Sequence, residues 1–150
     1  MNDKELNTTI TQIKKELFLY RNGIISDNLK RNGNPYPLIY GIMIPQIKEI
    51  SNKFIKNREL SLLLWNDCNC RESRLLAIYL CPIDVDMSFL IDLIINIKTR
   101  EEIEIVCFKL LRHNPFSKEL LKTLKETEDK ELSGIPYFEY LIEMLEKNQV

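Results

Sequence analysis

The chain has 150 residues, 45% of them apolar and 29% charged, with a formal net charge of −1, a composition that fits a single globular domain over 1–150 able to bury a core without metals or disulfides. Near-neutral charge excludes the strong basic excess of a tight nonspecific nucleic-acid binder. The charge is also graded, with ten Lys and Arg against six Asp and Glu in residues 1–60, four against five in 61–100, and seven against eleven in 101–150.

The opening "MNDKELNTTITQIKKELFLY" carries acidic residues where a signal peptide is basic. The most apolar windows, "LSLLLW" and "MSFLIDLIINI", fall well short of the ~20 residues of a membrane span. A cytoplasmic protein with no membrane partner is the expectation.

A first helix is read from Ile10, Ile13, Leu17 and Tyr20, spaced by three and four, with Asn7 or Thr8 as cap and Gly23 past its end. A short helix in "ISDNLKRNG" stops at Gly33. The stretch "NPYPLIYG" is extended, because proline lacks a donor and the residue before it avoids the α region. Pro45 suits the first turn of the next helix, whose buried stripe is Ile47, Ile50 and Phe54.

Asn57 caps "RELSLLLW", with Leu60, Leu63 and Leu64 facing inward. Asn69 and Glu72 have the spacing of a capping box that opens "CRESRLLAIYLC". A helix follows Pro82 in "DVDMSFLIDLIINI", and Thr99 with Glu102 makes a second capping box. Behind it, Ile103, Val106, Cys107, Leu110 and Leu111 form a continuous apolar stripe that Pro115 ends. "SKELLKTLKETED" and a helix opened by Pro136, with Phe138, Leu141, Ile142 and Leu145 inward, complete the chain. No segment alternates with the period of a sheet. The fold class is therefore all-α: antiparallel helical hairpins, at about 57–81, 84–113 and 116–148, stacked as a short α-solenoid. A compact bundle is the alternative arrangement. Trp65, Leu76, Ala77, Leu80, Val106 and Leu110 are the expected core.

Few residues carry obvious chemistry. There is no glycine-rich phosphate loop and no two-histidine metal motif, since the four glycines stand singly and His113 is the only histidine. Cys68 and Cys70 are spaced by one residue, not the two of a zinc knuckle, and no second pair follows. No metal and no cofactor are expected, and the cysteines are read as reduced thiols. Glu101 and Glu102 belong to a helix start, whereas Glu104 sits beside the apolar stripe, where a carboxylate is either a solvated flank of the helix or raised in pKa and useful for acid–base work. Arg71 and Arg74, three apart, share a helix face and either grip phosphates or pair with Asp67 or Glu72 while covering apolar surface.

The segments "RNGIISDNLKRNGNPYPLIYGIMIPQIKEIS", "LSLLLWNDCNCRESRLLAIYLC" and "FKLLRHNP" resemble the HEAT-like-repeat DNA alkylation repair proteins, the AlkD-type DNA glycosylases. The likeness covers roughly residues 15–115 and rests most on the LW…RE-x-R element. It implies a HEAT-like solenoid that cradles duplex DNA on a concave face, and an enzyme that excises cationic alkylated bases with a catalytic Asp, lesion-facing aromatics and an Arg. In this chain Glu104 stands where that Asp is expected, Arg100 in place of a lesion-facing Trp, and Thr99 in place of its neighbour. Glu104 is thus the catalytic candidate, and Arg71, Arg74, Lys98 and Arg100 are the candidate nucleic-acid contacts. Without aromatic walls to stabilise a cationic base, glycosylase activity is expected to be weak or lost. The alternative is a non-catalytic helical-repeat module for a protein partner or a second copy of the chain.

Overall fold

The structure, a computed structural model, describes residues 1–148. Every regular element among them is helical, and the only sheet-like pairing is a single parallel bridge between Leu38 and Cys70. The chain divides into two compact units, Met1–Cys81 and Pro82–Val150.

In the first unit, α1 (Asp3–Leu19) begins earlier than its sequence suggests. Its cap is Asn2, whose side-chain oxygen accepts the Glu5 N–H at 2.8 Å, rather than Asn7 or Thr8. Leu6 thereby joins Ile13 and Leu17 on the buried stripe. α2 (Gly23–Arg31) follows, capped by Asn22, and Gly33 beyond it adopts a φ of 91°. α3 (Ile44–Ser51) carries Pro45 in its first turn and buries Ile47 and Ile50, while Phe54 lies half-buried beyond its end.

α4 (Arg58–Trp65) and α5 (Arg71–Tyr79) form the expected hairpin, and all nine residues of α5 are buried. The inward face of α4 differs from expectation at one position: Leu63 is 48% exposed, and the small Ser61 is buried instead. Its hydroxyl donates to the Ala77 carbonyl at 2.7 Å, a contact only a small residue permits between closely packed helices. Ser73 makes the reciprocal bond to the Leu64 carbonyl at 3.1 Å.

The second unit opens with α6 (Met87–Ile94), capped by Asp86. α7 (Arg100–Ile105) starts with the predicted box: Thr99 Oγ1 accepts the Glu102 N–H at 3.1 Å, and Glu102 accepts the Thr99 N–H at 3.3 Å. The helix then widens into a π-helical stretch, Val106–Leu111, in which the Arg112 N–H reaches back five residues to the Cys107 carbonyl at 2.9 Å. Ile103, Val106, Cys107, Leu110 and Leu111 have no exposed surface. α8 (Ser117–Glu126), α9 (Lys130–Ser133) and α10 (Phe138–Asn148) complete the unit. Leu141 and Leu145 of α10 are buried, but Phe138 and Ile142 are only half-buried. All six residues expected in the core are 0–1% exposed.

Candidate functional site

Arg71 and Arg74 do not face outward. They are 4% and 0% exposed, which corrects their reading as phosphate contacts. Arg74 stacks on the Trp65 ring, 3.6 Å from its centroid, and donates to the Trp65 carbonyl at 2.6 Å and to the Tyr36 hydroxyl at 3.0 Å. A buried guanidinium needs such partners to offset its desolvation. Arg71 donates to the Ile42 carbonyl at 3.0 Å and pairs with Glu72 at 2.6 Å.

Glu72 explains why the predicted Asn69–Glu72 capping box is absent. The cap residue of α5 is Cys70, which makes no side-chain capping bond. The fully buried Glu72 carboxylate instead accepts the N–H groups of Tyr40, Gly41 and Ile42 at 2.9, 3.1 and 3.3 Å. These bonds clamp the extended segment against α5. On its other side the segment meets α2, where Asn22 N–H donates to the Tyr40 carbonyl and Ser26 Oγ to that of Ile39. Gly41 is required there: its φ is +83°, and an added Cβ would lie 2.1 Å from the Asn22 carbonyl oxygen. The paired "YG" of the sequence thus marks a backbone close approach.

Lys98, Arg100 and Glu104 are exposed and lie at or near the start of α7. The sequence reading missed their companion, Tyr140. Its hydroxyl donates to Glu104 Oε1 at 2.7 Å, and the Arg100 guanidinium lies over its ring, 4.2 Å from the centroid. The hydrogen bond to Glu104 holds the Tyr140 phenol in its neutral form and raises its pKa, partly opposed by Arg100. No local pattern announces this partner, because it comes from α10. One helical turn further on, Phe108 is 49% exposed with Lys109 and Arg112 at 5.0 and 5.4 Å from its ring centroid. Glu104 is therefore a solvated carboxylate in a surface cluster of cations and aromatic rings.

The first unit holds a different feature, a cleft of about 500 Å³ between α1 and the Asp67–Cys70 turn. Ile10, Leu38 and Leu63 supply its accessible apolar surface, in front of the buried Ile13, Leu17 and Leu64, and Tyr40, Asp67 and Ser73 are among its polar groups. Burial, followed by the nearby Cys70, Glu72 and Asp67, raises the Tyr40 pKa. Burial also pushes the Cys70 thiol up to about 12, so it is an inert neutral thiol at ordinary pH. All four cysteines are free, and only Cys68 is exposed. No group of three or more potential metal ligands occurs among the described residues, and none of their helices is long and apolar enough to cross a membrane.

No known protein family matches the chain, and neither does any curated protein or solved structure.

Proposed function

We propose that the protein is a DNA alkylation repair-like, helical-repeat nucleic-acid-binding protein of the cytoplasm, its hairpins stacked as a short HEAT-like solenoid, with base excision weak or lost. The observation that carries this reading is the exposed cluster of Arg100, Tyr140 and Glu104, with Lys98 at the same helix start. Cations beside aromatic rings suit a phosphate backbone and the faces of bases. Lys98 and Arg100 take over the role first assigned also to Arg71 and Arg74, whose guanidinium groups are committed inside the fold. Glu104 remains the sole catalytic candidate. Its exposure and its bond to Tyr140 argue for slow excision at most.

Few phosphate contacts imply weak, salt-dependent affinity in the ~10⁻⁴–10⁻⁶ M range of nonspecific binding. Titration of a labelled duplex at increasing salt tests this, wild type against the Lys98→Ala/Arg100→Ala double variant. The expected result is binding that falls with salt and falls again in the variant. Release of 7-methylguanine or 3-methyladenine from alkylated duplex, lost in Glu104→Gln, would restore the enzyme reading.

A second reading, a protein-interaction module, draws on the first unit. Phe18, Leu19 and Ile24 are 54%, 73% and 75% exposed, an apolar surface that phosphates do not explain. Absence of any salt-sensitive DNA binding would favour it.

A further inference from the structure

The cleft of the first unit has the size of a small-molecule site, within the roughly 300–1,000 Å³ such sites occupy, and it lies outside the surface assigned to nucleic acid. Its accessible apolar surface comes from half-buried Ile10 on α1, from Leu63 on α4 and from Leu38 of the extended segment, with Ile13, Leu17 and Leu64 buried behind them. Between them lies Asp67, a half-buried carboxylate that forms no ion pair among the described residues. Its carboxylate accepts a long hydrogen bond from the Asn69 N–H at 3.4 Å.

A half-buried carboxylate with spare lone pairs beside apolar walls lacks one thing, a hydrogen-bonding cation. The cleft's own cationic residue, Lys14, is exposed and makes no ion pair with Asp67. Lys14 is exposed while Asp67 is half-buried, so the stronger electrostatic preference belongs to the carboxylate. Tyr40, whose hydroxyl can also accept, lines the same cleft.

We propose that this cleft binds a small organic cation, a primary amine with an apolar body, whose ammonium group donates to Asp67 while its body packs against Ile10, Leu38 and Leu63. This site is independent of the nucleic-acid reading, and either can fail without the other.

The test titrates the full chain with phenethylamine, with the neutral 2-phenylethanol and with the anionic 3-phenylpropionate, following backbone amide shifts by NMR. The amine is expected to saturate, moving the amides of residues 10–17 and 67–70, and to bind at least about tenfold more tightly than the other two, the preference of a charge-assisted hydrogen bond. Asp67→Asn, which keeps the acceptor but removes the charge, should abolish that preference, and Lys14→Ala should tighten the amine modestly. Should Asp67→Asn melt early, Leu63→Lys supplies the same readout, because it places a competing ammonium in the cleft from an exposed position. Equal binding of the three probes, no saturation by the amine, or a preference that survives Asp67→Asn and Leu63→Lys would overturn the proposal.

Discussion

Two helix starts in this chain read almost alike, "CRES" at α5 and "TREE" at α7, yet their arginines and glutamates have opposite fates. At α7 Arg100 stays at the surface, its guanidinium over the Tyr140 ring. Glu102 turns back to complete a local capping box with Thr99. At α5 the extended segment through Tyr40–Ile42 lies across the helix start. Glu72 leaves its own cap and takes three N–H groups of that segment, and Arg71 is buried with it. The pairs Asn69–Glu72 and Thr99–Glu102 share one spacing, which gives a local cap at the start of α7 and, where another segment lies across the start of α5, a long-range clamp instead.

The sharpest way to break the contrast is to remove each glutamate's neighbourly role in turn. Glu72→Ala leaves three backbone donors and Arg71 without their carboxylate. It should cost about 3–5 kcal/mol, the penalty of stranding one partner of a buried pair, read as a lower urea midpoint. Leu76→Ala, on the same buried helix, should cost ~2–5 kcal/mol through the cavity it leaves, whereas Glu72→Gln, which keeps an acceptor, should lose less than Glu72→Ala.

The cap residues sharpen the comparison further. Cys70 ionises near its ordinary value in the unfolded chain, about 9, but only near 12 when folded. Above pH 9 the unfolded state loses the proton first, so folded stability should fall as pH rises towards 12. Cys107, also raised to about 12 by burial, adds to the same fall. Thermal melts at pH 8 to 11 should show it, and Cys70→Ala should flatten the curve. Below pH 8 neither thiol contributes a slope. Thr99→Ala removes the side-chain half of the α7 cap and should cost about 1 kcal/mol. The smallest effect belongs to Arg100→Ala, within about 0.5 kcal/mol for an exposed residue. An Arg100→Ala penalty as large as that of Glu72→Ala would erase the distinction between the two starts.

Periodicity made the helices legible, and the stripe from Ile103 to Leu111 emerged buried as its spacing required. Caps that depend on adjacent residues, Asn57 and Thr99, were also readable. The start of α1 was misread because the polar pair Asn7 and Thr8 looks like a cap, although Leu6 before it already belongs to the buried face. Leu63 was misassigned since hydrophobicity alone does not tell that a buried serine can satisfy its hydroxyl across a tight helix contact.

The candidate surface was half legible. Lys98, Arg100 and Glu104 lie close in sequence and share an exposed helix start, but Tyr140 arrives from a helix many residues away. Arg71 and Arg74 show the converse limit. Sequence leaves phosphate contact and pairing with Asp67 or Glu72 equally open for them; Arg71 pairs with Glu72, and the partners from Tyr36, Ile42 and Trp65 have no local signature.

The clamp on Tyr40–Ile42 has a further consequence for motion. Irregular segments usually exchange their amide hydrogens with solvent quickly, through small local openings. Here the three amides end on one buried carboxylate, itself fixed to a wholly buried helix. Releasing any one of them leaves part of a buried carboxylate without its hydrogen bond, so their deuterium uptake should be slow for a non-helical stretch, closer to that of α5 than to that of an ordinary loop.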